Sequence, residues 1–299
     1  MADDQQFLTD IQSDNADVRF AAWRRAGEVS PAVIPQLGKQ AASDNPGMAK
    51  AAKEALTTMT HFVGKDPGSP NRAAVIKGLL ELAGPASPTA VRVHAIRMLS
   101  CVAFEDSAPA IAAWIQTPEL GEEVAFCLER IPGNAPIKAL VAAYKTAKDE
   151  FKPRILAALG HRRAAEGVAL SVEAMRSPNR DIAVAGVKAY GRIGRKPLTA
   201  PKLPDTKVMS EWQRIEQQDS LLRYADAQAR EGNAAEAIAG YKAALALSEE
   251  HWQCAALIGL ARIGTPEAAA LIHTRLRSDS PKVRITAQNA WKSMAGRAG

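Results

Sequence analysis

The side chains that usually carry catalysis or metal binding are few in this chain and far apart. The five histidines, His61, His94, His161, His251 and His273, include no pair at the spacing with which a helix offers two ligands to one metal ion. His94 falls beside the apolar face of its helix and reads as a packing residue. Cys101, Cys127 and Cys254 contain no CxxC and read as small buried hydrophobes, not as a disulfide framework or a zinc site. Glu122-Glu123 and Asp149-Glu150 are adjacent acids near helix starts, where the helix dipole favours them. Neither pair comes with sign of a cleft. The run Gly191-Arg-Ile-Gly194 lacks the spacing and the preceding strand of a phosphate loop, so it reads as a helix end. The expectation is a non-enzyme without cofactor or metal.

Charge is more informative. Arg192, Arg195, Lys196, Lys202 and Lys207 stand close together with Asp205 as the one acid among them. Pro197, Pro201 and Pro204 exclude an ordinary helix there. The stretch is therefore either an extended basic strap available to an acidic partner or a solvated cover over the end of the preceding helices. Pro201-Lys-Leu-Pro204 fits a PxxP pattern and reads as a stiff linker. Over the whole chain, residues 1–150 carry 15 Lys+Arg against 18 Asp+Glu, and residues 151–299 carry 23 against 14. The basic second half either marks an anionic partner or reflects drift of surface charge.

Composition narrows the class. The 299 residues are 47% hydrophobic but only 5% aromatic, an Ala/Leu/Val/Ile interior suited to close helix packing. No apolar run reaches the length of a membrane span. Met1-Ala-Asp-Asp does not read as a secretory leader, so the chain as written is expected to be cytoplasmic, or periplasmic or secreted if a leader was removed. The five tryptophans, Trp23, Trp114, Trp212, Trp252 and Trp291, are expected mostly in packing between helices, with Trp114 on a helix spanning 107–116.

The elements that would position these residues come from a repeated pattern. In 177–194, Ile182, Ala185, Gly186, Ala189, Tyr190 and Ile193 recur at one helical face, Ser177-Pro178 supplies a cap and first position, and Gly194 a left-handed stop. Ser-Pro or Thr-Pro recurs at 30, 69, 87, 117, 177, 265 and 280, each before a helix-period segment. Helices of this length are marginal alone and gain stability by stacking, as in a solenoid.

The phrases Val18-Arg19-Ala22-Gly27, Val91-Arg92-Ala95 and Val283-Arg284-Ala287 resemble the first helix of HEAT repeats, and Arg154-Ala157-Gly160 keeps part of it. Leu156-Ala-Ala-Leu-Gly160 is similar to short-unit HEAT proteins of bacteria. Leu221, Tyr224, Ala225, Gly232, Ala237, Tyr241, Ala244 and Leu245 match the spacing of a tetratricopeptide repeat. The resemblance implies an all-α solenoid of stacked antiparallel helix pairs. It would divide into a HEAT-like array at 1–194, a strap at 195–207, a tetratricopeptide-like pair at 208–248 and further HEAT-like helices at 249–299. It also implies a protein- or peptide-binding scaffold whose inner face is built from the return helices, with Gln36, Lys39, Lys77, Lys138 and Lys145 as contact residues. Two alternatives stay open. One is a nucleic-acid-binding solenoid using the basic half, and the other an enzyme-accessory solenoid of the bilin-lyase type.

Overall fold

Several helix starts in this chain are set by short polar side chains, as the computed structural model, which describes residues 2–296, shows. Asn15, Asn45 and Asn179 each accept from backbone amides of the first turn that follows. In each case a serine two residues earlier accepts from the asparagine's own N–H: Ser13, Ser43 and Ser177. The asparagine is thus oriented before it caps.

The Ser/Thr-Pro signals divide. Ser30, Thr265 and Ser280 are N-caps with proline next in the first turn. At 69, 87, 117 and 177 the helix begins later, after Asn71, Pro88, Leu120 and Asn179, of which only Asn179 caps through its side chain. The reason is that proline also fits the second position of a β-turn. The carbonyls of Ser69 and Thr117 accept from Arg72 and Leu120 three residues on, which makes a turn there instead of a helix start.

The chain forms two compact units, Met1–Ala158 and Leu159–Gly299. The first holds α1 (Ala2–Ile11), α2 (Ala16–Arg24), α3 (Ile34–Ala41), α4 (Pro46–Gly64), α5 (Arg72–Ala83), α6 (Thr89–Val102), α7 (Ala108–Ala112), α8 (Gly121–Arg130) and α9 (Ala135–Thr146). The division falls inside α10 (Lys152–His161). The second unit holds α11 (Gly167–Ala174), α12 (Arg180–Ile193), α13 (Glu211–Arg230), α14 (Ala234–Leu245), α15 (Glu250–Ile263), α16 (Pro266–His273) and α17 (Pro281–Ala295). No strand occurs among the described residues.

Packing follows sequence order. In the first unit α2, α4, α6 and α8 lie successively against one another, while α3 packs on α5 and α7 on α9. In the second, α11 packs on α12, α12 on α13, α13 on α14 and α14 on α15, and α15 meets both α16 and α17. This is the stacked-pair arrangement of an α-solenoid. The interior is aliphatic: Ile34, Leu37, Leu56, Leu79, Ile96 and Leu99 are fully buried. The arginines of the Val-Arg phrases hold the loops before their helices. Arg19 donates to the Ser13 carbonyl at 2.6 Å, Arg92 to that of Ala83 at 2.9 Å and Arg284 to that of Ser278 at 2.6 Å.

Two sequence expectations change. Trp114 lies in a turn after a five-residue α7 and not on a helix spanning 107–116. Trp252 packs against the core of the second unit and Trp23 and Trp114 are half-buried, but none of the five tryptophans is fully buried, and Trp212 is 56% exposed. It lies in the first turn of α13, where Lys188 sits over its ring at 5.4 Å.

The stripe read from 177–194 is buried at Ile182, Gly186, Ala189, Tyr190 and Ile193 but only half-buried at Ala185. A methyl at Gly186 would stand 2.7 Å from the Ser171 carbonyl oxygen and 3.0 Å from the Met175 nitrogen, both backbone atoms that cannot swing away. Gly186→Leu is therefore expected to lower stability by about 1–3 kcal/mol through overpacking, and Ala185→Leu by clearly less. Denaturant unfolding of both variants checks the difference.

Candidate anion-binding surface

Basic residues of the second unit gather where α12 hands over to α13. After the left-handed Gly194, residues 195–205 run without regular structure to a 3-10 turn, Thr206–Val208, capped by Asp205. The strap occupies the place of a return helix for α12, so α13 packs directly on α12. That contact is close. A methyl at Gly191 would stand 2.2 Å from the Ser220 carbonyl oxygen. The buried Gln228 amide of α13 donates to the Gly194 carbonyl at 2.5 Å and accepts from Asn233 at 2.9 Å, which satisfies both of its ends.

Without a return helix on that side, part of α11 stays bare. Ala165, Val168, Ala169 and Val172 line a groove of about 710 Å³ with Glu166, Glu173 and Arg176, and Arg195, Lys196, Pro197 and Leu198 of the strap form its other wall. Leu198 is fully exposed. Behind the groove lies a small aromatic core of Val172, Met175, Val187, Tyr190 and Tyr224. The two tyrosine rings stack 4.4 Å apart at 22°. The Tyr190 hydroxyl donates to Tyr224, whose own hydroxyl donates to Glu236 at 3.3 Å. Burial raises both phenols above their ordinary range; the bond to Tyr224 adds to the rise at Tyr190, whereas at Tyr224 that bond opposes it and Glu236 adds to it. Lys196 donates to the other oxygen of Glu236 at 2.8 Å. The strap is tied to α14 by that pair.

Sequence reasoning had placed Asp205 alone against the basic cluster. Glu236, 40 residues beyond Lys196, is the missing acid. The five cations also separate in space. Arg195 and Lys196 border the α11 groove, Lys202 and Lys207 are exposed on the strap, and Arg192 is half-buried on α12. Arg192 lines a second cleft, of about 300 Å³, with Gly160, His161, Arg163, Gly191, Arg223, Asp226 and Arg230. Arg223, Asp226 and Arg230 recur at i, i+3 and i+7, one face of α13, and that spacing was the signal available in the sequence.

In the first unit, Lys39 lies at a groove between α3 and α5 with Pro35, Gly38, Gly78 and Leu82. Gln36 is half-buried on α3 and Lys77 exposed on α5. Lys138 and Lys145 are exposed two turns apart on α9. Cys127 and Cys254 are buried, and burial pushes the Cys127 thiol up to about 12. Cys101 is exposed instead. It stands off the stripe of Val91, Ala95, Leu99 and Val102 that α6 buries.

No family model matches the chain, and no curated protein matches it. Among solved structures, an engineered protein is similar at 18% identity and a TM-score of 0.43, with 99% of this chain and 89% of that chain covered. Kap121p, solved bound to Pho4p, is similar at 12% identity and a TM-score of 0.49, with 99% of this chain and 41% of that chain covered. This chain thus spans less than half the length of Kap121p. Likenesses at this level leave the function to be read from the surface itself. Among the described residues, no helix is long and apolar enough to cross a membrane, and no group of three or more His, Cys, Asp or Glu could hold a metal ion.

His94, on α6, is held in place by hydrogen bonds. Its Nε2–H donates to the Lys53 carbonyl at 3.1 Å, with the Thr57 hydroxyl 3.3 Å away. Burial lowers its pKa below 6.5, against the opposing pull of that carbonyl. The unfolded chain therefore takes up this proton first on acidification. Stability from the neutral ring is present above pH 6.5 and is lost as pH falls below it, toward the folded pKa. His94→Gln, which keeps a donor, is expected to lose less melting temperature than the parent between pH 7.5 and 5.5, a difference that calorimetry at the two pH values resolves.

Proposed function

We propose that this protein is a non-enzymatic HEAT-like scaffold, with α13 and α14 as a tetratricopeptide-like pair, that binds an acidic segment of another protein. One observation supports the reading above the others. Val168 and Ala169 of α11 stay partly or fully exposed where the array lacks a return helix, and the strap that borders them carries Arg195, Lys196 and the fully exposed Leu198. An incoming helix or extended segment would cover the alanines and valines as the next return helix does elsewhere. Acidic side chains on that segment would meet the strap. Tyr224, Ala225, Ala237, Tyr241, Ala244 and Leu245 are buried at the positions expected of a tetratricopeptide-like pair, which supports the second part of the reading.

Changing Arg195, Lys196 and Lys202 together to Ser tests it. The Lys196–Glu236 pair is exposed, so its loss is expected to cost less than about 1 kcal/mol and to leave the melting temperature within a few degrees of the parent. Capture of protein partners at low salt should fall sharply and should already be weak for the parent at high salt. A large fall in melting temperature with capture intact would make the strap a structural cover. Salt-dependent retention of nucleic acid in place of protein would favour a nucleic-acid-binding solenoid.

A further inference from the structure

The cleft beside Arg192 has a chemistry of its own. Four arginines from three elements, Arg163, Arg192, Arg223 and Arg230, converge on it with His161, and Asp226 is the one acid among its lining residues. Two of the charged groups are engaged. Arg223 pairs with Asp219 at 2.6 Å, and Asp226 accepts from the Tyr241 hydroxyl at 2.6 Å. The guanidinium groups of Arg163, Arg192 and Arg230 have no ion-pair or hydrogen-bond partner among the described residues. Three unpaired cations and the one acid, Asp226, therefore border a cleft of about 300 Å³.

Backbone geometry gives an independent sign. Arg163 has φ of 50°, and every other left-handed residue among those described is a glycine: Gly133, Gly194, Gly232 and Gly264. It ends α10 in a Schellman turn, its N–H bonded to the Gly160 carbonyl at 3.0 Å and that of Ala164 to the Leu159 carbonyl at 3.0 Å. Glycine would hold this turn without strain. Arginine at that position puts a guanidinium at the cleft. Strain of this kind points to a ligand.

We propose that the cleft binds the phosphate monoester of a phosphorylated side chain on a protein partner, an inference that rests on the protein-binding reading above. Guanidinium forks match phosphate oxygens in pairs. A phosphate monoester brings close to two negative charges, which suits an excess of several arginines over one acid better than a single carboxylate does. The lining contains no Trp, Tyr or Phe on which a nucleic-acid base could stack, and its volume suits one anionic group better than a run of backbone.

The test uses the full-length chain and fluorescently labelled Gly/Ser/Ala peptides carrying one phosphoserine, one glutamate or one serine. Anisotropy titration is expected to show the phosphoserine peptide binding at least about tenfold tighter than the glutamate peptide, with inorganic phosphate displacing it. Arg192→Gln and Arg230→Gln should each weaken it by about tenfold. Arg163→Gly is the decisive variant, because it should keep or raise the melting temperature while weakening phosphopeptide binding by a similar factor. The triple strap variant should bind the phosphopeptide like the parent, so loss of partner capture there and loss of phosphopeptide binding here remain separate results. The proposal is overturned by equal affinity for the phosphoserine and glutamate peptides, or by no measurable binding of either. It is also overturned by Arg163→Gly binding like the parent, by loss of binding in the strap variant, or by oligothymidylate binding more tightly than the phosphopeptide through the same arginines.

Discussion

The second unit depends on one backbone contact, the crossing of α12 over α13 at Gly191. No side chain fits between that α-carbon and the Ser220 carbonyl. Because α12 carries glycine there, α13 can lie directly against it, in the place where a return helix would otherwise intervene. The residues between the two helices then have no helical site to occupy, and three prolines keep them extended. The strap, the bare side of α11 and the proximity of Arg192 to Arg223 and Arg230 all follow from that one approach.

Electrostatics completes what packing begins. Glu236 ties the strap down through Lys196 and draws in the hydroxyl of Tyr224, so one carboxylate serves both the basic strap and the buried tyrosine pair. Gln228 performs the neutral counterpart at the end of α12, where its buried amide takes up the Gly194 carbonyl. The two side chains come from α13 and α14. The two helices that interrupt the regular array are therefore also the ones that fix the geometry of the interruption.

Much of this architecture is legible in the sequence, because a 3.6-residue period records burial directly. Ile182, Gly186, Ala189, Tyr190 and Ile193 are buried as their spacing requires, and the strap is marked by its prolines. The Ser/Thr-Pro signal is less exact, since proline serves a β-turn as readily as a helix start, and only the hydrogen bonds of Ser69 and Thr117 decide between them. Long-range pairings leave no local trace. Glu236 stands 40 residues from Lys196. Arg163, Arg192 and Arg223 belong to three separate elements whose charges each resemble an ordinary solvated face. Arg163 is hidden further, because its left-handed backbone is visible only once the turn has been built.

The most direct test of the α12–α13 crossing is amide hydrogen exchange on Gly191→Val, read along α13 with α4 as an internal reference. Lost protection from Ser220 to Gln228, with α4 exchanging as in the parent, is the result expected if that glycine holds the two helices together. Unchanged protection through α13 would mean that the helices pack without it, and that the strap and the arginine cleft owe their positions to something else.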